Sequence, residues 1–259
     1  MSSVYDLFSR RRKKLGFFQA LRWTVIEVLV TRGLLTGDVT LRPPNCAHGV
    51  RIRLHDSDWD LFRNVFLEKE LEFAASLTPP ALIMDLGANV GYTVIYFLSL
   101  FPAAGVIAVE PDPANLEVCR ANLKPYKRVQ LVRGAIWPSR SPLLLSRGTF
   151  RDGRAWATEV RVAKAGEAGD VEGWNIPDLL AASGQDRIGL LKINIEGSEQ
   201  ALFSHNASVW LNRVDNLFVE VHGPECRDAV ADGLSGYDFI HSQWGEHHLY
   251  LNIRCKDTH

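Results

Sequence analysis

The sequence predicts an α/β protein: a doubly wound, mostly parallel sheet with an antiparallel C-terminal hairpin and an N-terminal helical extension. Three observations carry that expectation. From residue 81 onward, short apolar runs alternate with helix-length segments, the order that produces parallel strands joined by crossover helices. The first run, residues 81–86, is almost continuously apolar, as in a strand covered on both faces. Near the end, residues 237–241 and 248–253 are two strand-like pieces close enough to pair directly.

Residues 1–35 read as a basic amphipathic helix. Phe18, Leu21, Val25 and Val28 recur at helical spacing behind the run Arg10-Arg11-Arg12-Lys13-Lys14. Such a helix either packs on the domain with its basic turn in water, the favoured reading, or makes peripheral contact with an anionic membrane. Residues 39–41 and 50–54 are short strands split by Pro43-Pro44. A helix is expected from Asp58, as N-cap, to about Phe73, burying Leu61, Phe62, Val65 and Phe66. These boundaries divide the chain into an N-terminal part, 1–56, and a main domain, 57–259. The main domain then reads as helix 91–100, strand 106–110, helix 113–123, strand 129–135, a turn-rich insertion at 141–170, helix 178–182, strand 188–195, a helix from Ser198 and strand 216–221.

The most informative stretch is Ile83-Met84-Asp85-Leu86-Gly87-Ala88-Asn89-Val90-Gly91. A buried strand runs into Gly87, where a residue without Cβ permits a tight turn, and Gly91 opens the next helix. Glu110 ends the second strand, where a carboxylate is placed to accept both ribose hydroxyls of a nucleoside. In a dinucleotide site the loop sets a diphosphate on the helix N-terminus, and an acid there would repel it. Here Asp85 precedes a G-x-x-x-G loop. That suits a cationic ligand, such as the amino and sulfonium groups of S-adenosylmethionine. Attraction between opposite unit charges about 4 Å apart is about 4 kcal/mol at intermediate dielectric, before desolvation.

Taken in order, IMDLGANVGYTVIYF, AVEPDPANLEVCRANL, VQLVRGAIW, LLKINIEGSEQALF and FVEVHG resemble the FkbM family of S-adenosylmethionine-dependent methyltransferases over about residues 50–222. The resemblance implies a class I (Rossmann-like) methyltransferase fold and methyl transfer to oxygen, with S-adenosylhomocysteine as product. The acceptors it implies are hydroxyls of small molecules such as sugars, glycans or natural products. Carried over by position, Asp85, Gly87, Asn89 and Gly91 would line the methionine end of the cofactor. Glu110 would hold the ribose, and Pro111, Ala135 and Ile136 would flank the adenine.

Candidate chemistry gathers at two later strand ends. Alternation puts Lys192, Asn194 and Glu196 on one face, opposite Ile193 and Ile195, and puts Glu220 and His222 on a common face. The two sets should converge at the carboxyl edge of the sheet. An alcohol is a poor nucleophile until its proton leaves, and His222, with a reference pKa near 6.5, is the expected general base. Glu196 and Glu220 would orient it or bind acceptor hydroxyls, and Lys192 would fix an acidic neighbour or lower the acceptor pKa. The plain structural alternative for His222 is a hydrogen-bonded, half-buried histidine. Asn194, Glu196, Glu220 and His222 could also hold a divalent metal such as Mg²⁺, a reading left uncommitted. The FkbM pattern carries Asp where this chain has Asn194, which weakens the metal reading and the transfer of acid chemistry.

Arg147, Arg151, Arg154 and Arg161 interleave with Phe150 and Trp156 in the insertion, as suits a phosphorylated or sugar-containing acceptor. His241, Trp244, His247 and His248 are expected to be hairpin and core residues. The formal net charge of −1 argues against nucleic acid as a partner, although residues 1–35 carry +5 of it. Cys46, Cys119, Cys226 and Cys255 form no CxxC pair, consistent with reduced thiols in a cytoplasmic protein, and no apolar run is long enough to span a bilayer. Two other classes stay in view: a nicotinamide-dependent oxidoreductase, and a catalytically weak methyltransferase-like binding module tethered by the basic helix. Homo-oligomer formation is left open.

Overall fold

The computed structural model describes residues 4–147, 158–164 and 167–256. The N-terminal segment forms two helices, α1 (Val4–Leu15) and α2 (Phe17–Thr31), broken at Gly16 in a left-handed conformation, φ 79°. The expected single helix is therefore corrected, and so is its face. α2 buries Ala20, Trp23, Thr24 and Glu27, while Phe18, Leu21 and Val25 face outward. The cause is Arg11. Its fully buried guanidinium donates to Trp23 O (2.9 Å) and Glu27 Oε2 (3.1 Å), and a buried charge dictates which side of α2 faces inward.

β1 (Asp38–Leu41) pairs antiparallel with β2 (Val50–Arg53). The helix expected over 58–73 is only α3 (Asp58–Phe62), extended by a π turn at Arg63–Leu67; the chain then breaks at Lys69, φ 55°, and resumes as a 3₁₀ turn at Glu72–Ser76. Nor does Asp58 cap it. Ser57 holds the N-cap position, while the Asp58 carboxylate accepts from Arg53 N, Nε and Nη2 at 2.7–2.9 Å.

The main sheet then follows the expected alternation. Its strands are β3 (Leu82–Leu86), β4 (Gly105–Glu110) and β5 (Val129–Arg133), with α4 (Tyr92–Leu100) and α5 (Pro113–Leu123) between them. The insertion carries β7 (Pro142–Arg147) and β8 (Thr158–Val162), which join β6 (Ala135–Ile136) before it and β9 (Val171–Trp174) after it in a four-stranded sheet of order β6-β9-β7-β8. After α6 (Ile176–Ser183) come β10 (Leu190–Ile193), α7 (Glu199–Ser204), α8 (Ser208–Leu211), β11 (Asn216–Glu220), α9 (Pro224–Leu234), β12 (Tyr237–Trp244) and β13 (His247–Cys255). α9 was not foreseen in the sequence. The seven strands run β12-β13-β11-β10-β3-β4-β5; β11, β10, β3, β4 and β5 are mutually parallel, and β13 lies antiparallel to both β11 and β12. Chain direction across the sheet reverses between β3 and β10, and a switch point of this kind opens a crevice at the carboxyl ends.

Period-two alternation splits the core. Ile83, Val106, Ala108, Leu190 and Phe218 face α2, α4 and α5, whereas Met84, Ile107, Leu191, Ile193 and Val219 face α6, α7 and α9. Val50 and Ile52 of β2 join the first of these layers. Gly87 sits where the layers meet the crevice. It has φ 86°, and a Cβ there would lie 1.8 Å from Asn194 O. The tight turn thus requires glycine because the neighbouring backbone leaves no room for a side chain. Gly87→Ala should lower stability by about 2–5 kcal/mol through strain and overpacking. Urea denaturation checks this, and an unchanged midpoint would contradict it.

Candidate active site

A cavity of about 300 Å³ opens at the carboxyl ends of β3, β4, β10 and β11. One half is built around Glu110. The amides of Gly87 and Ala88 both donate to Val109 O, at 3.0 and 2.9 Å, which fastens the loop to β4. Asn89 adopts a left-handed conformation, φ 49°, that aims its N–H at Glu110 Oε2 (2.8 Å), and Asp112 N donates to Oε1 (2.9 Å). Burial pushes the Glu110 pKa up to about 7 against the pull of these two amides. Asn89 Oδ1 is buried with no hydrogen-bond partner among the described residues, a polar atom of the kind that a ligand completes. Pro111, Ala135 and Ile136 line the cavity beside Glu110 as an apolar slot, and Gly87 and Asn89 line it too; Gly91 lies behind, as the left-handed N-cap of α4.

Asp85 is not free to meet a cationic ligand. It is fully buried and absent from the cavity wall. Register pairs it with Lys192 on β10, whose Nζ lies 2.9 Å from Asp85 Oδ1 and donates to Gly87 O (2.7 Å), while Thr93 Oγ1 donates to Asp85 Oδ2. The expectation that Asp85 itself supplies the attracting charge is corrected: Lys192 neutralises it and, as expected, fixes an acidic neighbour. The charge lies elsewhere. Glu70, Glu110, Glu196 and Glu220 line the cavity against Lys192 and His247.

The other half is a polar cluster. Asn194 Nδ2 donates to Glu220 Oε2 (2.7 Å), and its own Oδ1 is buried without a partner among the described residues. Glu196, φ 49°, holds a left-handed conformation ahead of Gly197, φ 94°. His222 does not line the cavity. Its ring is fully enclosed, with Nδ1 donating to Glu199 Oε1 (2.9 Å) and Nε2 3.6 Å from both Glu196 Oε2 and Glu220 Oε1. Burial alone would lower its pKa. The hydrogen bonds to Glu199 and Glu220 and the nearby carboxylate charges outweigh burial and hold the pKa up, at about 10. An imidazole protonated at neutral pH is no general base, so that assignment is corrected.

Sequence reasoning missed three contributors. Glu199, fully buried on α7, accepts from the backbone N–H groups of Ile195 and Gly197 as well as from His222. His247, expected to be a plain hairpin residue, lines the cavity and contacts Glu70 (2.6 Å), which the break after the π turn carries in. An acid one residue past a break at Lys69, inside a stretch that reads as continuous helix, leaves no sequence signal. His241 and Trp244 are hairpin and core residues as expected: His241 stacks on Tyr250 and Trp244 on Phe218. Of the insertion, Val160 reaches the cavity, whereas Arg161 is exposed and pairs with Glu167 (2.9 Å). Phe150, Arg151, Arg154 and Trp156 lie outside the described residues, as does the Arg147 side chain. Among the described residues no group of three or more His, Cys, Asp or Glu is arranged to hold a metal ion, and no helix is long and apolar enough to cross a membrane.

Strand order, switch-point crevice and glycine loop define a class I, Rossmann-like methyltransferase fold. Residues 85–254 match the model of the methyltransferase FkbM domain, and the chain belongs to that family. It is 25% identical over 212 residues to the 31-O-demethyl-FK506 methyltransferase FkbM of Streptomyces tacrolimicus, covering 71% of this chain and 81% of that protein. It is also 25% identical over 179 residues to the 2-O-methyltransferase NoeI of Sinorhizobium fredii, covering 66% of each. Among solved structures, a methyltransferase from Geobacter sulfurreducens superposes with TM-score 0.42 at 16% identity, covering 72% of this chain and 77% of that one. The precorrin-6y C5,15-methyltransferase of Geobacter metallireducens gives 0.42 at 13%, covering 71% and 85%. The chain is thus a methyltransferase, which sets aside the oxidoreductase alternative.

The His222 assignment has a direct check. Because its folded pKa lies above the unfolded value near 6.5, the stability it contributes is full below that pH and is lost as pH rises toward 10. Nitrogen NMR of the imidazole should show both ring nitrogens protonated at neutral pH. A ring that titrates below pH 7 would restore it as a base.

Proposed function

We propose that the protein transfers a methyl group from S-adenosylmethionine to a hydroxyl of a sugar, glycan or natural-product acceptor. The observation that carries this reading is Glu110 at the end of β4, opening onto one cavity with the apolar Pro111, Ala135 and Ile136 on its own side and Asn194, Glu196 and Glu220 across from it. An adenosine fits such a pairing of ribose acceptor and apolar slot. The excess of wall carboxylates over cations favours a positively charged ligand over a diphosphate. Both curated relatives bear O-methyltransferase names or act at an oxygen position, which supports oxygen as the acceptor atom.

When bound, S-adenosylmethionine supplies an electrophilic methyl on a positive sulfur. The chain's own residues do the rest: they hold the acceptor in line and take its proton. Glu220 is poorly suited to that proton. Although burial opposes it, the hydrogen bond from His222 and the charges of His247, His222 and Lys192 keep its pKa below the ordinary range, and Asn194 occupies Oε2. Glu220 is assigned to orient acceptor hydroxyls. Glu196, presented on the cavity wall by its left-handed backbone, is assigned as base.

Calorimetric titration with S-adenosylhomocysteine tests the cofactor half without an acceptor. Glu110→Ala should weaken binding by about 10- to 100-fold through the lost ribose hydrogen bonds. Unaltered affinity would remove Glu110 from the site. Because protonation of Glu110 removes an acceptor, affinity should also fall as pH drops below about 7 and level off above it. In radiolabelled transfer assays across sugar and polyketide hydroxyl acceptors, Glu196→Gln should cost about 10²- to 10⁴-fold in kcat with cofactor affinity retained. Full turnover in that variant would reject it as the base.

A further inference from the structure

The N-terminal helix pair carries a surface that the methyltransferase reading does not use. α2 packs on the protein through Ala20, Trp23, Thr24 and Glu27, with Ile26 and Val30 partly buried against the core. Trp23 is enclosed against Phe62, ring centroids 5.2 Å apart, and Glu27 is held by Arg11 (3.1 Å) and Arg63 (3.4 Å). A second apolar stripe is left outside. Phe18 is 85% exposed, and Phe17, Leu21 and Val25 are each about half exposed (52%, 48% and 49%). They lie within one arc of the helix, since positions 18, 21 and 25 share a face at 3.6 residues per turn. A surface helix that buries one apolar side and leaves a second apolar stripe in water departs from ordinary amphipathic surface helices.

Charge identifies what meets that face. Arg10, Arg12 and Lys13 at the end of α1, and Arg22 and Arg32 on α2, are all exposed. Of the two acids in residues 1–35, Glu27 is buried beneath the helix in its ion pairs with Arg11 and Arg63, and Asp6 sits in the first turn of α1, away from its basic last turn. A second copy of this chain would have to set one cationic rim against another. A neutral protein groove would leave the cations without partners. Aromatic and aliphatic side chains flanked by Arg and Lys, with acids withheld, fit a bilayer interface, where rings enter the acyl boundary and cations meet phosphates.

We infer that the α1–α2 pair is a peripheral docking surface for anionic lipid bilayers, with Phe17, Phe18, Leu21 and Val25 entering the interface and Arg10, Arg12, Lys13, Arg22 and Arg32 binding lipid phosphates. The pair also grips the wall of the active-site cavity. Arg63 belongs to the π turn that carries Asn64 and Val65 into the cavity, and Lys14 Nζ donates to Glu68 O just beyond it. With lipid on one side of α2 and this wall on the other, docking sets the cavity wall about one helix diameter, about 10 Å, from the membrane surface.

The full chain should co-sediment with vesicles of phosphatidylcholine mixed with phosphatidylglycerol, and weakly with phosphatidylcholine alone. High salt should release it, because screening removes the phosphate attraction. Phe18→Glu combined with Leu21→Glu, and separately Arg10→Glu combined with Arg12→Glu and Lys13→Glu, should each lower partitioning about tenfold or more. These side chains face solvent, so circular dichroism and S-adenosylhomocysteine affinity should match the parent, which separates a failure here from a failure of the cofactor reading. Three results overturn the inference: absence of sedimentation, sedimentation indifferent to lipid charge, or light scattering that shows a stable dimer dissolved by Phe18→Glu. The last would assign the face to a second copy.

Discussion

Everything at the active-site end of the sheet hangs on one buried ion pair. Asp85 and Lys192 face each other across β3 and β10, the two strands between which chain direction reverses. Neither could be buried alone, since an uncompensated charge in the interior costs several kcal/mol. Together they fix the spacing of the two strand ends, and Lys192 extends the constraint by donating to Gly87 O. Gly87 in turn meets Asn194 O so closely that no side chain is tolerated there. The cofactor loop and the acceptor-side strand are thereby a single rigid unit, which is what a transfer reaction dependent on alignment requires.

That pair also changes how donor preference is built. An acid before a glycine bend could attract a cation directly, yet a lysine at 2.9 Å removes its charge from the crevice. The preference passes to the wall, where four glutamates face Lys192 and His247. A distributed field of this sort depends on no single residue. It also sets carboxylates on both halves of the cavity, Glu110 on one and Glu196 and Glu220 on the other.

Much of the fold was legible because it rests on local signals. The apolar run at 81–86, the Asp112-Pro113 cap of α5 and the alternation in β10 each declare an element and a face. Lys192 lies on the face of β10 opposite Ile193 as alternation predicts, whereas Asn194 and Glu196 lie past the end of the strand, where alternation no longer sets a face. What stayed hidden was tertiary. The face of α2 is chosen by Arg11, a residue in a different helix; the protonation of His222 by Glu199, 23 positions away; the presence of Glu70 in the cavity by a break at Lys69 that nothing in composition announces. Charged residues are hardest to place from sequence, because a pattern of periodicity records hydrophobicity and not which ion finds which partner.

The exchange of Asp for Asn at 194 can be judged in the same terms. His222 serves three carboxylates, bonding Glu199 and lying 3.6 Å from Glu196 and from Glu220. One imidazolium already faces an excess of negative charge. An aspartate at 194 would add a fourth carboxylate at hydrogen-bonding distance from Glu220, and like charges so close in a partly buried site force a proton onto one of them. Asn194 instead donates its amide to Glu220 Oε2, and its Oδ1 is buried without a partner among the described residues. Asn194 thus trades a shared proton for a fixed donor and keeps Glu220 ionised.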